Sequence, residues 1–266
     1  MEETNTGFGA SLVAFLDTWS PIDFILIGQN LDRFIYGAFV TLELTILALI
    51  LGGLISVPMA IARANKKNLF NGPVWVFTYF FRGTPLLVQT YLIYYGLGQF
   101  EWIRESVLWK PILSQAWWCA LIAFTLNTAA YTTELLRGAI ETTDKGEVEA
   151  AKACGLSGRM RMRRIILPSA FRRALPAYSN EVIFMLHGSV VASTITIQDL
   201  LGVGRWLNGR YYLAYEGFIT AAVFYFILVL LIARGFRYWE KHWLAHLYPQ
   251  GVLKKVKGKG LANFRI

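Results

Sequence analysis

Long apolar blocks alternate with short charged stretches along this chain. Five blocks approach the roughly 20 residues that a helix needs to cross a hydrocarbon core. The pattern predicts five spans, over about residues 34–62, 83–100, 112–136, 177–200 and 212–233. The first is the most uniform, and the second follows an aromatic approach segment, PVWVFTYFFR. The fourth carries Asn180, Glu181, His187 and several Ser and Thr. Such polarity must face protein or a water-filled path, not lipid.

The connection at 137–176 is the only long one between spans. Its first half, TTDKGEVEAAKACG, reads as a short helix. Thr143 or Asp144 can cap it, and Gly155 can supply a left-handed stop. A second helix can start at Ser157 and is expected to end by Pro168. Arg159, Arg161, Arg163 and Arg164 make this stretch electropositive, which suits a segment lying on anionic headgroups. Charge alone does not explain the small residues at 150, 151 and 153, which would let another protein approach the backbone closely.

Loop charge sets an orientation. Residues 1–33 hold five acids and one base, whereas 137–173 holds nine bases against four acids, and the tail from Arg234 holds eight bases and one acid. The loop at 63–72 is purely basic, and the loops at 101–111 and 199–216 are balanced. By the positive-inside rule the N-terminus is expected outside and the C-terminus inside, which agrees with an odd number of spans. The net charge of +9 is therefore topogenic, and no nucleic-acid partner is expected. The charged fraction, 16%, is also far below the roughly 25% of soluble domains. Residues 1–33 are acidic and the first apolar block is too long for a leader's core, so no cleaved leader is expected.

Catalytic chemistry finds no constellation. Cys119 and Cys154 give neither a disulfide framework nor metal spacing. His242 and His246 stand at i, i+4 without the HExxH carboxylate, so no metal site is expected. No Gly-rich loop precedes a Lys-Ser/Thr pair, so the chain cannot hydrolyse ATP itself. The remaining candidates are polar groups inside spans: His187, Asn180, Gln89 and Glu43, each lining a translocation path or bonding a neighbouring helix. Glu134 and Glu181 lie near span ends, where a structural ion pair competes with a substrate role and is favoured for Glu134. For Glu134 the partner would be Arg137 or Arg82, and for Glu181 an arginine of the loop.

The motif Glu149-Ala150-Ala151, with Gly155 six residues after the Glu and then Ile165 and Leu167-Pro168, resembles the EAA loop of binding-protein-dependent ABC importer permeases. FRGTPLLVQ, YTTELLRGAI and NEVIFMLHGSVVASTITIQDLL are similar to signatures of the polar amino acid (histidine/lysine/arginine/ornithine) branch, in its M-type subunits. Where many members carry Lys-Asp-Thr-Ser, this chain has His187-Gly188-Ser189-Val190, a departure that fits the basic-amino-acid subset. The likeness covers about residues 34–248.

The resemblance implies an all-α integral membrane fold of the type I importer permease kind, with five transmembrane helices and a cytoplasmic two-helix coupling loop. It divides the chain into a periplasmic segment (1–33), a permease domain (34–248) and a basic cytoplasmic tail (249–266). Glu149, Ala150, Ala151, Gly155, Leu167 and Pro168 would dock on an ABC ATPase dimer. The implied setting is a multi-pass, non-catalytic subunit in the bacterial inner membrane. It would pair with a related or identical permease and receive substrate from a periplasmic amino acid-binding protein. ATP and Mg would be bound by the partner ATPase, with no cofactor in this chain. The transported class would be polar, basic amino acids: arginine, ornithine, lysine or histidine. A stand-alone secondary carrier or channel would not need the EAA loop, and a membrane enzyme would need a catalytic group.

Overall fold

The most apolar stretch forms one unbroken helix, α2 (Leu31–Ala64), preceded by the short α1 (Phe24–Gln29). A computed structural model describes residues 24–65 and 68–243. The expected tail and most of the expected N-terminal segment lie outside the described residues. Along α2 a small residue recurs every fourth position, Ala48, Gly52, Ser56 and Ala60, and all four are buried. This row lets α6 (Ala116–Glu141) approach so closely that a β-carbon on Gly52 would collide with Thr128 Cγ2 and stand 3.0 Å from the Thr125 carbonyl. Helices in lipid gain nothing from simple apolar burial, and small-residue rows supply close packing instead.

The central helix is α6. Packed on it are α2, α3 (Asn71–Gly83), α4 (Leu86–Tyr91) and α9 (Leu167–Gly188). Because protein walls it, α6 can bury Thr125, Asn127, Thr128, Thr132 and Thr133. Three apolar clusters hold the bundle. One joins Leu44, Phe124 and Met185, and another joins Ala60, Leu136 and Ala170. The third joins Phe34 to Leu200 and Leu207 of α10 (Leu200–Tyr211) and to Ala221 of α11 (Ala214–Trp243). No strand occurs among the described residues.

Among the described residues two helices, α2 and α11, are long and apolar enough to cross a membrane. The stretches Gly158–Ile195 and Leu200–Tyr211, bent by 43°, add a third if counted as one broken span. The second expected span is not continuous. α3 ends at Gly83, Thr84 turns extended (φ −113°, ψ 143°), and Pro85 opens α4. From there the chain continues as a π turn (Leu92–Gly96), a 3-10 turn (Leu97–Gln99) and the short α5 (Glu101–Arg104). Proline disfavours helical geometry in the residue before it, and hydropathy does not register that break.

Pro168 does not end a helix. It lies in the first turn of α9, directly after a π turn that carries the incoming helix past it. α8 (Gly158–Arg161) runs through a π turn (Met162–Ile166) straight into α9, with the Leu167 N–H bonded to the Met162 carbonyl. This i→i+5 turn is the kind of bulge a helix uses to change its bonding pattern without stopping.

Candidate functional site

The break between α3 and α4 frees helix-end carbonyls that the helix itself no longer bonds. Two amides and a phenol do so instead. Gln89, only 3% exposed, places Nε2 2.8 Å from the Phe81 carbonyl, 3.0 Å from the Thr84 carbonyl and 2.8 Å from Thr84 Oγ1. Its Oε1 accepts from Asn127 Nδ2 at 3.1 Å, and the same Nδ2 lies 3.3 Å from the Phe81 carbonyl. Tyr131 donates its hydroxyl to the Arg82 carbonyl at 3.3 Å.

Beside this break lies a cavity of about 520 Å³, a size typical of small-molecule sites. Arg82, Thr84, Asn127, Tyr131, Glu181 and Phe184 line it, drawn from α3, the break, α6 and α9. Glu181 accepts a 3.4 Å bond from Thr128 Oγ1, and among the described residues no cation forms a salt bridge with it. Arg82 holds its guanidinium carbon 5.4 Å from the centroid of the Tyr131 ring, and it too forms no salt bridge among the described residues, although it lies close enough to Glu181 to attract it. The cavity therefore combines a carboxylate and a guanidinium, neither held in a salt bridge among the described residues, with an aromatic ring beside the guanidinium.

The sequence-derived candidates fall into separate places. Glu134 knots the end of α6: Oε1 lies 3.0 Å from Arg63 Nε and 3.2 Å from Thr78 Oγ1, and Oε2 lies 2.7 Å from Arg137 Nε. Arg137 also reaches Glu141 at 2.6 Å. Of the two partners considered for Glu134, Arg137 is present and Arg82 is not. Gln89 is occupied with backbone carbonyls. His187 and Asn180 are exposed on α9, with Ala177 and Phe184 completing one stripe at helical spacing. Glu43 is exposed on α2. Asn127, Tyr131 and Phe184 were not singled out from sequence. An amide within an apolar block was the available signal for Asn127.

The EAA-like segment forms α7 (Lys145–Ala153). Asp144 caps it, its Oδ1 accepting from the Gly146 N–H at 2.6 Å. Gly155 stops it at φ +71°, with the Gly155 N–H on the Lys152 carbonyl (2.9 Å) and the Leu156 N–H on the Ala151 carbonyl (3.1 Å). That is the Schellman arrangement. A β-carbon on Gly155 would touch nothing within 4 Å, so the demand for glycine is conformational rather than steric. Ala151 is buried, Glu149 and Ala150 are exposed, and Leu167 and Pro168 are half-buried. A cleft of about 460 Å³ runs beside α7, lined in part by Ala150, Ala151, Leu156, Arg164, Pro168 and Arg172.

Residues 50–243 match the family described as binding-protein-dependent transport system inner membrane component. The chain is 44% identical over 213 residues to the histidine/lysine/arginine/ornithine transport system permease protein HisM of Escherichia coli K12, covering 80% of this chain and 90% of that one. It is 42% identical over 217 residues to the octopine transport system permease protein OccM of Rhizobium radiobacter, covering 81% and 88% respectively. Among solved structures, an amino acid ABC transporter with histidines superposes with a TM-score of 0.74 at 31% identity, over 84% of this chain and all of that one. The MetNI methionine ABC transporter superposes at 0.67 with 19% identity over 81% of this chain and 98% of that one, a likeness of fold.

Proposed function

The chain belongs to the binding-protein-dependent transport system inner membrane components, and on that premise we propose that it moves basic amino acids across the bacterial inner membrane as one permease of an ATP-driven importer. Its all-helical architecture is that of the type I importer permeases. The observation that carries the substrate class is Glu181 sharing a cavity with Arg82, neither held in a salt bridge among the described residues. A basic amino acid brings one carboxylate and two cationic groups. Arg82, resting over the Tyr131 ring, meets the carboxylate, and Glu181 meets a cationic group. The substrates named for HisM, histidine, lysine, arginine and ornithine, support the same class.

The partners follow from the same reading. An ATPase dimer, holding ATP and Mg, docks on Glu149, Ala150 and Gly155, with Leu167, Pro168 and the buried Ala151 behind them; Ala151, expected at the docking surface, packs inward instead. A periplasmic binding protein delivers substrate to the opposite face. A second permease, related or identical, covers the stripe bearing Asn180 and His187 and the exposed Glu43, since a bare carboxylate facing lipid is costly. The alternation of loop charges supports a periplasmic N-terminus and a cytoplasmic C-terminus. ATP binding draws the coupling segments together, and the helices walling the cavity open it to one side and then the other.

Proteoliposomes holding the permease pair, the ATPase and the binding protein test the substrate assignment. Glu181→Gln is expected to lower arginine uptake by about tenfold or more, as loss of a hydrogen bond between charged groups predicts. Histidine uptake at pH 8, where the imidazole is mostly neutral, is expected to fall less. Unchanged arginine uptake would move the substrate site out of this cavity. Uptake that persists without the ATPase would favour a stand-alone carrier.

A further inference from the structure

Arg173 joins three elements at one point. Its NH2 donates to the Ala139 carbonyl of α6 at 2.8 Å and to Thr143 Oγ1, just beyond α6, at 2.7 Å. Its NH1 donates to Ser169 Oγ, one turn earlier on α9, at 2.6 Å. Ser169 in turn donates to Glu147 Oε2 of α7 at 3.4 Å. The side chain is half-buried and its Nε is buried without a partner, so the two terminal nitrogens alone fix its position. A guanidinium can do this because its donors form a rigid planar fork, whereas an ammonium is a point charge on a flexible stem.

Two of the joined helices are also cavity walls. α6 carries Ala139 at the clamp and Asn127 and Tyr131 at the cavity, and α9 carries Ser169 and Arg173 at the clamp and Glu181 and Phe184 at the cavity. Glu181 stands eight residues beyond Arg173, about 12 Å along the same helix at 1.5 Å per residue. The apolar contacts of Ala139 and Ile140 with Ala170 and Ala174 lie alongside and have no direction of their own. Directional bonds to the EAA-like segment run through the Ser169–Arg173 pair.

We propose that Arg173 is a positioning residue for transport: it clamps α6 and α9 to α7, so that a displacement of α7 is transmitted to the cavity walls rather than absorbed at the helix ends. The proposal rests on the reading of this chain as an ATP-driven permease. Without the clamp the ATPase would still bind and cycle, and the cavity would follow it less faithfully.

The test is a ratio, arginine imported per ATP hydrolysed, measured in the reconstituted complex with loaded binding protein. Arg173→Met keeps the apolar stem and removes the fork. Assembly and stimulated hydrolysis are expected to persist while the ratio falls at least about fivefold, the low end of typical coupling between sites. Arg173→Lys is expected to fall similarly, because charge without the fork cannot bridge α6 and Ser169. Should Arg173→Met fail to assemble, Thr143→Val removes one acceptor and leaves the arginine in place, with a smaller drop expected. An unchanged ratio in whichever of these variants assembles, or full rescue by lysine, overturns the clamp. A wild-type complex that hydrolyses ATP and imports nothing overturns the transport reading and the clamp with it, and is distinguishable because it needs no variant.

Discussion

Where α10 meets α11 two backbones touch, and where α3 meets α4 the chain parts around a space. In the corner, a β-carbon on Gly217 would stand 2.5 Å from the Gly204 carbonyl oxygen, and one on Gly204 2.9 Å from that of Gly217. Asp199 caps α10 through the Gly202 N–H at 2.8 Å, and Thr41 of α2 accepts from the Leu200 N–H at 3.1 Å. At the break, a β-carbon on Gly83 would meet nothing within 4 Å, and the carbonyls are satisfied by Gln89, Asn127 and Tyr131. The corner excludes volume and the break demands polarity. A permease needs both, a stiff piece that can be swung and a polar lining that can exchange its partners for a substrate's.

The largest effect should come from adding volume to the corner. Gly217→Leu forces the two helices apart at a backbone contact, and about 3 kcal/mol of destabilisation is expected, the upper part of the usual range for overpacking. Gly83→Ala serves as the counterpart, with a shift within about 0.5 kcal/mol. Thermal midpoints of the detergent-solubilised protein read both. If Gly217→Leu melts with the parent, close approach does not hold the corner.

Next in size is the loss of polarity at the break. Gln89→Leu roughly keeps the volume, strands the Thr84 carbonyl and leaves the Phe81 carbonyl only the longer Asn127 bond, at a cost of about 1–3 kcal/mol. The Asn127→Leu variant disturbs the same network, so the double variant should be less damaging than the sum, by an interaction of about 0.5–3 kcal/mol. Additive effects would show that the two amides act independently, contrary to their 3.1 Å bond.

How much of this the sequence discloses depends on the range of the cause. The EAA-like helix, its Asp144 cap and its Gly155 stop are local events, and local residue choice announces them. The first and last spans are legible because a run of apolar residues is itself the cause of a span. The cavity is not legible, since Arg82, Asn127 and Glu181 come from three elements and only packing brings them together. For Glu181 the sequence leaves an ion pair and a substrate role both open, because it shows the charge and not its neighbours. The break at Thr84-Pro85 carries a local signal, a proline after Gly-Thr, that the apolar residues around it conceal. At Pro168 the usual stop signal is overridden by the π turn preceding it.

The smallest effect concerns strain in the corner. Among the described residues two that are not glycine take left-handed conformations, Thr196 (φ 73°) and Tyr212 (φ 59°), and they bracket α10. A β-branched residue is especially ill suited to that region, and such strain persists only where the surroundings over-determine it. The cap at Asp199 and the Gly204–Gly217 contact supply that constraint. Asparagine visits the left-handed region more readily than threonine, and Thr196 is exposed, so little packing is lost. Thr196→Asn is therefore expected to recover up to about 1 kcal/mol, a rise of about 2–4 °C in the thermal midpoint. A lowered midpoint would mean that the threonine side chain holds something the corner needs. A raised midpoint joined to slower arginine import would instead show that the strain is used: a corner too comfortable in one position would resist the swing that the cavity walls must make.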